Sequence, residues 1–119
     1  MATRTYQAQG SGYYPDQSAL EGGFKDRRGI NLNTLQDYLA NKADYVSVAM
    51  DPQLAIPYGT VVKISEIEAD RGRTIEFRVV DTGGAFKGKG FTRIDICTAN
   101  RHESLDPTIN GVLTLTFSD

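Results

Sequence analysis

Arg73-Thr-Ile-Glu-Phe-Arg-Val-Val-Asp81-Thr-Gly-Gly-Ala-Phe-Lys-Gly-Lys-Gly-Phe-Thr-Arg-Ile-Asp95-Ile-Cys97 holds two alternating runs joined by a glycine-rich turn. In residues 73–80, Ile75, Phe77 and Val79 fall on one side of a pleated strand. In residues 91–97, Ile94 and Ile96 face one way, and Asp95 and Cys97 face the other. Four more runs of this kind occur at residues 5–9, 45–50, 60–67 and 112–117, rich in the β-branched residues that suit a half-buried sheet. A single helix is predicted after Asn33, which caps it with Gln36 in capping-box position, while Leu35, Tyr38 and Leu39 share a face. Six short strands and little helix predict a mainly β fold, a small six-stranded barrel with one or two short helices, because closure removes unpaired edges.

Length and composition narrow the function. A chain of 119 residues suits one domain spanning residues 1–119. With 39% hydrophobic and 24% charged residues, it falls in the ordinary globular range and outside that of disordered chains. A net charge of −2 argues against nucleic acid as partner, since a binder of phosphate backbones carries a basic face. The lone Cys97 excludes an internal disulfide framework, and the lone His102 leaves no histidine-rich metal cluster. Neither a metal nor any other cofactor is expected. No apolar run is long enough to span a membrane. Met1-Ala-Thr-Arg-Thr-Tyr6 alternates like a strand and has no signal-peptide core.

The chemistry-bearing residues centre on the opening stretch. Asp81 sits where a strand enters a turn, held by a rigid end yet open to ligand, and Gly83 and Gly84 permit close approach to the backbone. Carboxylates on neighbouring strands, Asp81 and Asp95, can hold their proton affinities apart, as acid chemistry on a glycosidic bond requires. The plainer reading is a turn-capping Asp81 and a solvated Asp95. Gly83-Gly-Ala-Phe-Lys-Gly-Lys-Gly90 fails as a phosphate loop, because Gly90 stands where a magnesium-binding hydroxyl is needed and a strand follows. Asp81-Thr-Gly also matches the core of aspartic proteases, in which a homodimer would pair Asp81 with its copy. Two other segments add candidates: Asp51, closing a strand before Pro57-Tyr58-Gly59-Thr60, and Glu21-Gly-Gly-Phe-Lys-Asp26-Arg-Arg, an exposed loop able to line a groove.

Taken together, Met50-Asp51, Ile56-Pro-Tyr-Gly-Thr60, Asp81-Thr-Gly-Gly-Ala-Phe-Lys-Gly88 and Arg93-Ile-Asp95 resemble the 3D domain, named for three aspartates. The resemblance covers about residues 45–97. It is similar to the catalytic part of the membrane-bound lytic transglycosylase A family and of stationary-phase wall-remodelling proteins. It implies a double-psi β-barrel that acts on peptidoglycan glycan strands, cleaving between N-acetylmuramic acid and N-acetylglucosamine to leave a 1,6-anhydro end. On this resemblance Asp95 is the general acid/base, Asp81 assists it and Asp51 supports the site. Lys87 and Arg93 are candidates for contacting anionic substrate groups, with Glu21, Tyr58, Gly83 and Gly84 as further substrate-binding candidates. The run Lys89-Gly-Phe-Thr-Arg93 is longer than the family's usual spacing. Competing readings are a glycoside hydrolase on the same barrel, a wall-binding module without catalysis, and the dimeric protease. A monomer acting in the periplasm or cell wall is expected. It would be delivered by phage lysis or a secretion machine, or have had its signal removed.

Overall fold

A computed structural model describes residues 3–15, 25–82 and 87–118. The strands are β1 (Thr3–Tyr13), β2 (Val46–Met50), β3 (Thr60–Ile64), β4 (Phe77–Thr82), β5 (Arg93–Cys97) and β6 (Val112–Ser118). They close into a barrel in the order β1-β5-β2-β4-β3-β6. Pairing is mixed: β1 with β5 and β2 with β4 run parallel, and the other four contacts are antiparallel. Three short helices, α1 (Leu35–Leu39), α2 (Ser65–Arg71) and α3 (Arg101–Ser104), pack around it.

The alternation read from the sequence fills the barrel. Ala8, Val46, Val48, Met50, Val62, Ile64, Phe77, Val79, Ile94, Ile96, Leu113, Leu115 and Phe117 form one buried cluster, joined by Leu35, Ile67, Ile75 and Ile109. A smaller second cluster lies apart from it, in which Leu32 packs with Tyr13, Ala49 and Cys97, strand residues that alternate with the interior ones.

Three elements differ locally from the sequence reading. The run at residues 60–67 stays a strand only to Ile64 and then turns helical as α2. Ile64 and Ile67 are both buried, and their spacing of three puts them on one face of a helix but on opposite faces of a strand. Gly72, at φ 69°, ends α2, so β4 begins at Phe77 rather than at Arg73. The first helix is capped by Thr34, whose hydroxyl accepts from the Asp37 amide at 3.0 Å, and not by Asn33. Asn33 is committed elsewhere: its amide donates to the Ser47 hydroxyl and its carbonyl accepts from the Ser47 amide, both at 2.9 Å. Gln36 likewise reaches away from its own helix, accepting from the Ala99 amide at 2.8 Å.

A 3-10 turn at Gly90–Thr92 leads into β5. Phe91 within it stacks on Tyr6 with centroids 4.0 Å apart and meets Phe117 edge-on at 5.7 Å. Anchored there, β5 begins at Arg93 and pairs in register with β1.

β1 is glycine-bearing where other chain crosses it. A Cβ on Gly10 would lie 2.2 Å from the Ile109 carbonyl oxygen, and one on Gly12 2.5 Å from that of Ser104. Since those neighbours are backbone, Gly10→Ala should lower stability by about 1–3 kcal/mol through overpacking, which a denaturant melt would register as a reduced midpoint with unchanged slope.

Candidate functional site

The proposed acids come together through strand register. Ser11 of β1 pairs with Asp95 of β5, Asp95 pairs with Ala49 of β2, and Ala49 pairs with Asp81 of β4. Four adjacent strands thus contribute one row on the outer face of the barrel, opposite to Ile94, Ile96 and Val48 in the interior. Asp95 and Asp81 flank Ala49 from either side, which places their Cα atoms about 10 Å apart, twice the interstrand spacing. Ala49 at the centre is itself buried, packed with Tyr13, Leu32 and Cys97. Ser11 donates its hydroxyl to Asp95 Oδ1. Arg93 and Cys97, two residues before and after Asp95, share its face.

Asp81 reaches this face through a bulge. Simple alternation from Phe77 and Val79 would point it into the barrel. Instead Val48 pairs with Val79 and Ala49 with Asp81, so Val80 is an extra residue on β4. The displaced backbone groups are satisfied by neighbouring loops: Val79 O accepts from the Gly59 amide at 2.8 Å, and Val80 O from the Arg27 amide at 3.3 Å. The second of these docks residues 25–30 beside Asp81.

That loop brings in Asp26, which the sequence reading left as a possible groove residue. Asp26 is buried, accepts from the amides of Arg28 (2.9 Å) and Ile30 (3.0 Å), and takes the Tyr58 hydroxyl on its other oxygen. Arg28 lies 4.3 Å and Arg27 5.5 Å from the Tyr58 ring centre, so cations cover the ring while its hydroxyl is tied to Asp26. Burial, and then the bond to Asp26, hold the Tyr58 hydroxyl protonated well above its ordinary range.

The electrostatics of Asp81 follow from this neighbourhood. Burial is the largest influence and raises its pKa, and the charge on Asp26 adds to the rise. The Thr82 amide, donating to Asp81 Oδ1 at 2.9 Å, and the charge of Arg27 oppose it. Cys97 is fully buried and its thiol is pushed up by burial, and secondarily by Asp37 and Asp81, which leaves it an unreactive packing group.

Asp51 supports the site from outside the row. It is covered by a thin layer of chain, at 3% exposure, and caps the turn at Pro52–Leu54 through Gln53 N (2.8 Å). Its other oxygen accepts from Gly90 N at 2.8 Å, tethering the end of the glycine-rich loop, where Gly88 and Gly90 take φ of 82° and 60°. Desolvation would raise its pKa, but the amides of Gln53, Gly90, Gly88 and Lys89 outweigh it and lower the value. The tether is therefore intact above the ordinary carboxylate range and is lost as pH falls through the depressed value. Lys87 is exposed beside this loop. Glu21, Gly83 and Gly84 lie outside the described residues.

Sequence reasoning missed Ser11, the β1 residue paired with Asp95. Tyr13 pairs with Cys97, and its ring packs in the cluster with Leu32 and Ala49. Its hydroxyl is buried and has no hydrogen-bond partner among the described residues beyond a weak contact with the Cys97 thiol. A buried hydroxyl left so costs about 1–3 kcal/mol. No metal-binding cluster of three or more ligand-type side chains occurs among the described residues, and no helix there is long and apolar enough to cross a membrane. No family model and no curated protein sequence matches the chain.

Two outcomes check this geometry. Deleting Val80 removes the bulge, keeps Asp81 opposite Ala49 by simple alternation and takes away the carbonyl that holds the Arg27 amide, so it should cost about 1–3 kcal/mol; a lowered denaturation midpoint with the dispersed amide spectrum retained would report it. Asp81→Asn keeps the acceptor for the Thr82 amide but removes the charge. Because folding raises the Asp81 pKa, the ionised form is a liability at neutral pH that fades as pH falls from the raised value toward the unfolded one. The variant should therefore melt higher at pH 7, with the gain vanishing in acid.

Proposed function

We propose that this barrel is a peptidoglycan lytic transglycosylase in which Asp95 carries the proton and Asp81 is its ionised partner. The observation that carries the reading is the outer-face row in which both carboxylates flank Ala49. It is supported by the order of the aspartate motifs in residues 45–97 and by the six-stranded closed barrel that holds them.

Protonated Asp95 donates to the glycosidic oxygen as the bond to the anomeric carbon breaks. The sugar's own 6-hydroxyl then attacks that carbon, and its proton passes to the Asp95 carboxylate, regenerating the acid. No water is consumed, and no second base is needed. Ser11 suits a group that alternates between acid and base, because a hydroxyl donates to a carboxylate and accepts from a carboxylic acid. Ionised Asp81, on the other side of Ala49 from Asp95, stabilises the positive charge that develops on the sugar ring. Arg93, on the same face as Asp95, and Lys87, exposed on the adjoining loop, are placed to meet lactyl or peptide carboxylates of the wall polymer. Asp51 acts at one remove, fixing the loop that borders the row.

Digestion of purified sacculi tests this directly. The wild-type chain should release fragments one water lighter than reducing-end sugars. Asp95→Asn, which retains an acceptor for Ser11, should lose about 10²–10⁴-fold in rate with its melting temperature preserved. Fragments with ordinary reducing ends would reassign the same pair of acids to hydrolysis, and binding of sacculi without release would make the barrel a wall-binding module.

A further inference from the structure

The cations of residues 25–30 are not used alike. Lys25 donates to Asn31 Oδ1 at 2.6 Å, and the Arg27 guanidinium donates to the Ile56 carbonyl at 2.8 Å. Arg28 is exposed, with its guanidinium carbon 4.3 Å from the centre of the Tyr58 ring. Among the described residues that guanidinium has no hydrogen bond and no ion pair. An exposed arginine ordinarily keeps its rotamer freedom, but this one is held from beneath. Buried Asp26 takes the Arg28 and Ile30 amides on one oxygen and the Tyr58 hydroxyl on the other. One carboxylate thus fixes both the backbone at Arg28 and the ring on which the Arg28 side chain rests. A guanidinium stacked on a ring uses its flat face, which leaves its in-plane N–H groups to a fork-shaped acceptor.

We propose that Arg28, stacked on Tyr58, is an anion subsite that takes a carboxylate of the bound polymer in a two-pronged hydrogen-bonded pair. Its placement fits that role. The Arg27 amide bonds Val80 O at 3.3 Å, one residue before Asp81, so the loop carrying Arg28 is docked on β4 where the acid row ends. Its charge fits as well. Lys25, Arg27 and Arg28 outnumber Asp26 there, in a chain whose net charge is −2. With Arg27 turned to Ile56 and Lys25 to Asn31, the loop offers one uncommitted guanidinium. That suits a planar monoanion such as a carboxylate, and falls short of the several cations that a phosphate dianion draws. On the transglycosylase reading the carboxylate belongs to the lactyl or peptide groups of the wall polymer. That identification rests on the reading, whereas carboxylate recognition by Arg28 rests on the geometry of Arg28, Tyr58 and Asp26.

Titration of the full chain with a disaccharide–peptide fragment of the wall, followed by NMR, provides the test. The Arg28 Nε–H and Tyr58 ring signals should move most. Converting the carboxylates of the fragment to amides should weaken binding about tenfold, the loss of a charge-assisted pair. Arg28→Lys keeps the charge and, at an exposed position, the fold, but it loses the planar fork. It should weaken the acid fragment about tenfold and leave the amidated fragment unchanged. Equal affinity for the acid and amidated fragments overturns the proposal. So does an Arg28→Lys chain that binds the acid fragment as the wild type does, and so does an acid fragment that fails to bind at all. A fragment stripped of peptide, with its lactyl carboxylate free, separates the two sources: retained binding assigns the lactyl group, and lost binding the peptide. The subsite and the catalytic reading fail separately. Binding at Arg28 with no glycan release from sacculi by the wild-type chain rejects transglycosylation alone, and glycan release with Arg28→Lys indistinguishable in affinity rejects the subsite alone.

Discussion

One extra residue in β4 governs the geometry of the acid face. In a strand the side chains alternate without exception, so a carboxylate four residues after Phe77 and two after Val79 belongs inside the barrel, where it would have to be neutral or would unfold the chain. The bulge at Val80 resets that parity. It also leaves carbonyl groups out of the ladder, and the structure uses them: the Arg27 amide caps Val80, which docks residues 25–30 and carries Asp26, Arg27 and Arg28 to the rim. The bulge thus aims Asp81, recruits a second acid beside it, and brings the cations that temper both.

How much of this was legible in the chain depends on the range of the interaction. The alternation of Ile94, Asp95, Ile96 and Cys97 is local, and it placed Asp95 on the outer face correctly. The strand content was equally local, and six runs became six strands in a closed barrel. A bulge has no such signal, because it exists only relative to the partner strand; nothing in Phe77-Arg-Val-Val-Asp-Thr says that Val80 will be skipped by β2. The pairing of Ser11 with Asp95 spans 84 residues and depends on a parallel register that composition does not encode. At α2 the difficulty was different: Val62 and Ile64 follow the strand period and Ile64 and Ile67 the helical one, and in the helix Glu66 and Glu68 accept from the Thr114 and Ile75 amides.

The three aspartates of the motif also divide by role in a way their similarity conceals. Asp51 is saturated by backbone amides and is stabilised as a charge, the condition of a structural tether. Asp81 is half-buried, has one such amide, and is pushed toward protonation, the condition of a group whose charge must be managed. Asp95 answers to a hydroxyl, a partner that can follow a proton in either direction. Asp26, outside the motif, is as fully bonded as Asp51, and it contributes to the site through its charge.

β1 pairs with β6 along most of its length, Thr3 opposite Ser118, and with β5 over its last five residues. The strand that supplies Ser11 and Tyr13 is therefore the one whose contacts lie farthest away along the chain. Bringing such distant segments together is entropically the slowest kind of step. Until it happens, the glycine-rich stretch has its aspartates but not the hydroxyl beside Asp95. The acid face is consequently a product of barrel closure, and a nascent or partly folded chain would hold these carboxylates as ordinary solvated ones. Assembly of the row and completed folding are in this way bound to the same event.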